Sequence, residues 1–271
     1  MAVLTTQFLS EDFNIFNQAT WQLLVEPKNL TALAYQNNQL CTFHQIGFTN
    51  NIVPDDINNI SALAIRAGVQ NLHFNYYTEN YTLVPSELYN FNLKDDYINF
   101  LFGINDQNLI KSELNFSISS YLITTLNEEL YRSLMVGVAN TSVNCWHNSM
   151  INFAKQYKNH DDVAFVACFN NSYTITINKA CVFTYMYSFS YTKPEEICYK
   201  LLHVFSVYNL NSTHCNVLLM GNVNAESFLY KELSKFFAQL SCINLTNYSK
   251  QIKHQLSVED HQLFPALITN L

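Results

Sequence analysis

The stretch from Asp162 to Phe237 most constrains the fold, because three strand patterns are followed there by alternating helix and strand patterns. Residues Asp162 to Phe169 form a short, almost continuously apolar run, which is typical of a strand buried on both faces. Tyr173 to Asn178 and Cys181 to Tyr191 are rich in β-branched and aromatic residues, which favour strands. Two polar turns separate the three strands: Asn170-Asn171 and Asn178-Lys179.

A helix, a strand and a second helix are predicted next. Thr192 to Glu195 has the pattern of a capping box with proline in the first turn, and apolar residues then recur at helical spacing. His214 to Met220 is a predicted strand that ends at Gly221, and Asn224 is the predicted cap of the second helix. The apolar positions of the two helices are Ile197, Leu201, Phe205 and Tyr208, then Leu229, Leu233, Phe236, Phe237 and Leu240.

The first half of the chain repeats this order. Three strands are predicted around the turns Glu26-Pro27-Lys28 and Asn37-Asn38, and Pro54 then opens a helix that Gly68 ends. Thr125 to Glu128 has the pattern of another capping box. The predicted strands are 21–25, 30–35, 40–47, 72–77, 114–118 and 134–138, with an extended segment at 81–85, a helix between Asn92 and Gly103, and a polar lead-in at 1–17.

We therefore predict an α/β protein made of two lobes with the plan β-β-β-α-β-α-β-α. Ala139 to Thr141 is short, polar and poor in apolar anchors, which places the boundary between domains 1–139 and 140–271. A helix with its apolar face at Val143, Trp146 and Met150 is expected to start the second domain. An edge strand at 240–245 and a closing segment at 258–271 complete the prediction.

Composition excludes several classes of function. The net charge is -7 and the 14 Lys and Arg are scattered, so direct nucleic-acid binding is not expected. The chain has no apolar run of about 18 residues and no cationic leader, so we expect a cytoplasmic protein without membrane association. The seven cysteines are dispersed and odd in number, which is typical of reduced core residues.

The order of several short motifs resembles a family of Bacteroidetes proteins catalogued as domain of unknown function 3822 (DUF3822). The motifs are Tyr81 to Tyr89, Asp96 to Phe100, Val163 to Tyr191, Pro194 to Tyr199 and Val217 to Asn222. The resemblance implies a duplicated ribonuclease-H-like fold, similar to the actin, Hsp70 and sugar-kinase ATPases. It implies no established activity.

ATPases of that fold hold Mg-nucleotide in a cleft, using a hairpin with Asp and Gly in each half and a Gly-rich turn between a strand and a helix. The corresponding candidates here are Glu26 and Lys28 in the first hairpin, Asn170 and Asn171 in the second, and Gly221 and Asn222 in the turn. Pro27 removes an amide donor, and the second hairpin has neither Asp nor Gly. Glu26 and Lys28 are more often a solvated turn, whereas Gly221-Asn222 is as plausibly an anion site as an ordinary connection.

Two hypotheses follow. The first is a non-enzymatic interaction or assembly protein that binds a protein partner and has a degenerate nucleotide cleft, with no cofactor. The second is an ATPase or small-molecule kinase that binds ATP and Mg²⁺ through unconventional phosphate ligands. The other constellations favour packing: adjacent Cys145 and His147 are not expected to face each other on a helix, and His254, Glu259, Asp260 and His261 lack the spacing of a metal site.

Overall fold

The computed structural model describes residues 2–9, 20–36, 39–103, 108–157, 161–244 and 260–270. They form two compact units, the first reaching Asn148 and the second beginning at Ser149, inside one helix. The domain boundary between residues 139 and 140 stays a prediction.

The first unit is built on a six-stranded sheet with an insert. Its elements are β1 (Ala2–Leu9), β2 (Thr20–Val25), β3 (Asn29–Gln36), β4 (Gln39–Phe48), α1 (Pro54–Arg66), β5 (Asn71–Tyr76), β6 (Tyr81–Pro85), a 3-10 helix (Phe91–Leu93), α2 (Lys94–Phe102), β7 (Asn108–Asn115), β8 (Ser120–Asn127), α3 (Glu128–Met135), β9 (Asn140–Cys145) and α4 (Trp146–Gln156). The sheet order is β1-β4-β3-β2-β5-β9, in which β5 is parallel to β2 and to β9. Helix α1 buries Ile57, Ile60 and Ala64, as its spacing predicts.

Residues 81–127, from β6 to β8, form the insert, which interrupts the plan between β5 and α3. Its strands make a separate antiparallel sheet in the order β6-β8-β7, and α2 packs on that sheet through Ile98. Tyr89 stacks on Tyr121 with ring centroids 3.7 Å apart, which holds the segment before α2 against β8. The insert therefore has a small core of its own.

The second unit is a five-stranded sheet covered on both faces. Its elements after α4 are β10 (Val163–Cys168), β11 (Ser172–Lys179), β12 (Val182–Ser190), α5 (Pro194–Val207), β13 (Asn216–Gly221), α6 (Phe228–Leu233), β14 (Leu240–Cys242) and α7 (Asp260–Leu267), which a 3-10 helix (Ile268–Asn270) follows. The sheet order is β12-β11-β10-β13-β14. Leu201 and Phe205 of α5 pack on one face of the sheet. Phe165 meets Phe153 on the other face, and Phe153 in turn packs against Phe264 of α7.

The same pairing pattern occurs in both units. Val25, the last residue of β2, pairs with Leu30 of β3 and with Tyr76 of β5. Cys168, the last residue of β10, pairs in the same way with Tyr173 of β11 and Gly221 of β13. The plan β-β-β-α-β-α-β-α is thus confirmed in each unit, with the insert added to the first.

Several predictions in the first half are wrong. Leu134 lies in helix α3, not in a return strand at 134–138, and the return strand is β9. Val143, which the sequence placed in the following helix, also lies in β9. A short apolar run is compatible with both a strand and the end of a helix, which explains why the end of α3 was predicted as a strand.

The predicted capping box at Thr125 to Glu128 is also wrong. Thr125 continues strand β8, and the residue that caps α3 is Asn127, whose side chain accepts a hydrogen bond from the Leu130 amide at 3.0 Å. The strand predicted at 114–118 is displaced, because Phe116 to Ser119 form the turn between β7 and β8. Residues 2–9 form strand β1, which pairs with β4, where the sequence predicted a polar lead-in.

In the second half the corrections concern helix starts and one strand end. Helix α5 begins at Pro194 as predicted, but the carboxylate that bonds to Thr192 belongs to Glu196 and not to Glu195. Ser227 caps α6 in place of Asn224. Strand β14 ends at Cys242, and residues 245–259 of the predicted edge strand and closing segment lie outside the described residues.

Candidate functional site

Glu26 occupies the first position after strand β2, where a tight hairpin begins. Its amide donates to the carbonyl of Asn29 at 2.9 Å, which leaves Pro27 and Lys28 as the two turn residues. The Glu26 side chain is only 8% exposed, and the Asn29 side-chain amide donates to its Oε2 atom at 3.3 Å. Burial raises the pKa of this carboxyl to about 7, since a charged carboxylate loses its hydration there, and the Asn29 hydrogen bond opposes that rise.

A cavity of about 400 Å³ opens beside Glu26 within the first unit. The hairpin, the end of β5, and the junction of β8 with α3 contribute to its wall. Polar side chains supply two carboxylates and several amides and hydroxyls, whereas Lys28 is not among the lining residues. The residues that line it are Val25, Glu26, Pro27, Asn51, Ile52, Tyr76, Tyr77, Thr78, Glu79, Asn80, Asn108, Thr125, Leu126, Asn127 and Leu130.

Most of these lining residues were not singled out by the sequence. Glu79 and Asn80 directly precede the insert and Asn108 begins its strand β7, so their positions next to Glu26 depend on how the insert joins the sheet. Only Asn127 carried a usable signal, as an asparagine directly before two glutamates at a helix start.

The candidates in the second unit lie at the ends of strands β10 and β13. The Asn222 side-chain amide donates to Oδ1 of Asn170 at 2.6 Å, and both residues are exposed. The Asn171 carbonyl accepts from the amide of Tyr191 at 3.0 Å. The structure therefore brings Asn170, Gly221 and Asn222 together. Whether Glu26 and Lys28 join them in one nucleotide cleft stays a prediction.

Gly221 is held by close contact with the neighbouring strand. Its φ is +87°, and a Cβ atom at this position would lie 2.1 Å from the carbonyl oxygen of Cys168. The amide of Asn222 donates to that same carbonyl at 2.8 Å, and the amide of Val223 donates to the Gly221 carbonyl at 2.8 Å. These two amides are the donors that a phosphate would need after such a glycine, and both are already paired within the chain.

The turn after Gly221 does not lead directly into a helix. Helix α6 begins at Phe228, and its cap, Ser227, accepts a hydrogen bond from the Tyr230 amide at 3.2 Å. The prediction of a helix N-terminus directly after Gly221-Asn222 is therefore wrong. In the first unit Tyr76 occupies the place of Gly221 in the pairing pattern, and its hydroxyl lies 2.7 Å from Oγ1 of Thr124.

Cys145 and His147 do face each other, contrary to the expectation for neighbours on a helix. Cys145 ends strand β9 and His147 begins α4, so the chain bends between them and brings Sγ to 3.3 Å from Nδ1. Burial raises the pKa of the Cys145 thiol and lowers the pKa of His147 to about 3, so both groups are neutral. A neutral, buried thiol is a poor nucleophile, and the pair is part of the core.

The tail residues considered for a metal are only partly described. His261 is buried in α7 and its Nε2 donates to the carbonyl of Val223, whereas His254 and Glu259 lie outside the described residues. Within the described part of the chain, no group of three or more His, Cys, Asp or Glu side chains is arranged to hold a metal ion. No described helix is both long and apolar enough to cross a bilayer.

Comparisons with known proteins match this fold. The model of the family described as "Protein of unknown function (DUF3822)" matches residues 65–240. A Bacteroides thetaiotaomicron protein with actin-like ATPase fold and unknown function has a TM-score of 0.73 at 12% identity, over 95% of this chain and 98% of that chain. The PilM-PilN type IV pilus biogenesis complex gives a TM-score of 0.64 at 8% identity, over 92% of this chain and 96% of that chain. No curated protein matches the sequence.

Proposed function

The chain belongs to the DUF3822 family, and from that premise we propose that it is a protein-binding module of actin-like ATPase fold that does not hydrolyse ATP. The observation that carries this proposal is the surface of the insert, where large apolar side chains such as Phe100 and Phe116 are exposed together with the acidic Asp95 and Asp96. A neighbour of similar fold is part of a pilus biogenesis complex, which is consistent with use of this fold in protein assembly.

Large apolar side chains are exposed on several parts of the insert. Phe100 is 89% exposed because it lies about 200° around helix α2 from Ile98, the residue that faces the small sheet. Phe116 is 85% exposed in the turn between β7 and β8. Leu88 lies in the adjacent turn, since the Ser86 amide donates to the Ser119 carbonyl at 3.0 Å. Leu88 and Phe116 therefore lie in neighbouring turns, and neighbouring exposed apolar side chains are typical of an interaction surface.

The charge of the insert indicates what kind of partner it binds. Residues 81–127 contain five acidic residues and two lysines, a net charge of -3 within a chain of net charge -7. Lys111 is taken up by an ion pair with Glu113 at 3.1 Å, while Asp95 and Asp96 are exposed on α2. The partner that fits is an amphipathic protein segment with apolar anchors and basic flanks.

Photo-crosslinking tests the proposal. A photoreactive phenylalanine analogue replaces Phe100, and as a matched control the same analogue replaces Tyr199, which is 68% exposed on α5 of the second unit. We expect one dominant protein adduct from position 100 and not from position 199. The captured protein, once purified, should bind Phe100→Ser at least about tenfold more weakly, because an exposed aromatic anchor is lost.

Equal crosslinking from both positions, or unchanged affinity of the captured protein for Phe100→Ser, would contradict the proposal. The affinity of the captured protein for the unsubstituted chain should also fall as the salt concentration rises, because the proposed contact joins acidic side chains on α2 to a basic partner.

The alternative proposal is Mg-ATP binding by an ATPase or small-molecule kinase. The contact between Asn170 and Asn222 at two strand ends favours it, since both side chains are exposed beside Gly221. The pairing of the Asn222 and Val223 amides within the chain opposes it. Calorimetric titration with Mg-ATP separates the two proposals.

The cytoplasm is the proposed location. All seven cysteines are free thiols, and four of them are buried, which is typical of proteins from reducing compartments. Cell fractionation tests the proposal, and recovery of the protein from an oxidising compartment would contradict it.

A further inference from the structure

We propose that the cavity beside Glu26 binds the cationic head of an alkylammonium or alkylguanidinium group, with the Glu26 carboxylate as its counter-ion. This site lies in the first unit, at residues distinct from the exposed insert surface. It therefore goes beyond the proposed function and does not depend on it.

Glu26 is a buried acid that is only weakly hydrogen-bonded. Its Oε2 atom accepts from the Asn29 side-chain amide at 3.3 Å, which is longer than the about 2.8 Å of a strong hydrogen bond to a carboxylate. The side chain is 8% exposed and contributes to the wall of the 400 Å³ cavity. A carboxylate in this setting gains most from a ligand that brings both hydrogen-bond donors and positive charge.

The remaining wall of the cavity selects for a cation. Glu79 supplies a second carboxylate, and none of the lining residues is Lys, Arg or His. A phosphate group would meet two acids in a wall that contains no Lys, Arg or His, so an anionic ligand is disfavoured. The polar atoms of Asn51, Asn80 and Asn127 offer acceptors around the same space.

The apolar part of the wall fits an alkyl stem. Ile52, Leu126 and Leu130 line the cavity together with the acids and amides. The volume of about 400 Å³ holds a ligand of side-chain size, such as the butyl chain of a diamine or the side chain of lysine or arginine. A cationic head on an alkyl stem occurs in two kinds of ligand: a free polyamine-like molecule and a basic side chain of a peptide.

Isothermal titration calorimetry on the full chain distinguishes these sources. The probes are agmatine, which carries a guanidinium and an ammonium group, and the capped tripeptide Gly-Arg-Gly; pyrophosphate is the anionic control. We expect at least one cationic probe to bind and pyrophosphate not to bind. Binding of agmatine alone indicates a free amine, and binding of the peptide indicates a side chain.

Proton release gives a readout that a merely structural role of Glu26 would not produce. Burial raises the pKa of Glu26 to about 7, so part of this carboxyl is protonated at pH 7 and binding of a cation should expel protons from it. The released protons are measured by repeating the titration in buffers of different ionisation enthalpy. The other titratable groups that face Glu26 across the cavity are Glu79, Tyr76 and Tyr77.

Three variants complete the test. Glu26→Gln should weaken binding at least tenfold and remove the proton release, whereas Arg66→Gln, at an exposed position of α1 outside the cavity wall, should leave both unchanged. Glu79→Gln should weaken binding without removing the proton release. Absence of binding by both cationic probes, or binding that Glu26→Gln leaves intact, overturns the inference.

Discussion

At the end of strand β2, burial changes the behaviour of a single acid. The ordinary pKa of the Glu26 carboxyl is 4.5, and burial raises it to about 7 in the folded protein. Between these values the folded state holds its proton more tightly than the unfolded state. The contribution of Glu26 to stability is therefore greatest below pH 4.5, falls as the pH rises to about 7, and is lost above it.

This shift predicts how Glu26→Gln changes the pH dependence of stability. A difference of 2.5 between the two pKa values corresponds to about 3 kcal/mol, so between pH 4.5 and 8 the free energy of unfolding of the unmodified protein should fall by roughly that amount relative to Glu26→Gln. Glutamine does not titrate, and the variant should lack this fall. Urea unfolding at pH 5 and pH 8 measures the difference, and parallel curves for the two proteins would contradict the account.

Gly221 predicts a second effect at the scale of one residue. A methyl group there would lie 2.1 Å from the Cys168 carbonyl oxygen, and φ is +87°, so Gly221→Ala should lower the free energy of unfolding by at least about 2 kcal/mol. Gly103→Ala is the matched control, because its φ is +75° but no atom lies within 4 Å of the added carbon. Its ψ of 166° places it in a backbone region that alanine rarely adopts, so Gly103→Ala should cost about 1 to 2 kcal/mol from strain alone, and Gly221→Ala should cost more because of the added close contact. Equal losses in thermal or urea unfolding would show that the close approach of the strands is unimportant.

At the scale of elements, the insert is attached to the main sheet of the first unit by a polar network around Lys111. This β7 side chain pairs with Glu113 at 3.1 Å and donates to the carbonyl of Val143 in β9 at 3.3 Å. Glu113 also accepts from the side-chain amide of Asn148 at 2.6 Å. Both charged side chains are largely buried, so each charge needs the opposite charge of the other to offset its lost hydration.

Loss of Lys111 should therefore destabilise the first unit. We expect Lys111→Met to lower the free energy of unfolding by about 2 kcal/mol, because Glu113 keeps its charge without its cation. Arg132→Met is the control: its ion pair with Glu128 is exposed on α3 and should contribute less than about 0.5 kcal/mol. Hydrogen exchange in β7 should increase in Lys111→Met alone, and equal effects of the two substitutions would contradict the role of this network.

The helices and strands also show which sequence signals were sufficient to predict where an element begins and ends. Helix α1 was predicted because Pro54, two aspartates and Gly68 mark its ends and Ile57 and Ala64 share one face. The end of α3 was not predicted, because the apolar residues after Ser133 are compatible with both a strand and a helix. Only tertiary contacts distinguish the two. Thr125 matched a capping box by type and spacing, but its pairing with Ile110 in the insert sheet keeps it in a strand.

At the scale of the whole molecule, the duplicated plan was predictable from element order alone. Each strand run has its own composition and its own turn residues, so the order could be read without knowledge of contacts. The cavity beside Glu26 was not predictable, because it requires the insert to place Asn108 and Asn127 near the hairpin. The hydrogen bond of the Asn222 amide was not predictable either, because its donation to the Cys168 carbonyl depends on the register of two strands that are distant in sequence.

We propose above all that this actin-like ATPase fold serves protein binding without nucleotide hydrolysis. The measurement that tests it most directly is calorimetric titration of the purified protein with ATP and Mg²⁺ at neutral pH. We predict no binding in the micromolar range, because the amides after Gly221 are paired within the chain and the Glu26 cavity is acidic. Micromolar, Mg²⁺-dependent binding that is lost in Glu26→Gln or Asn222→Ala would contradict the claim.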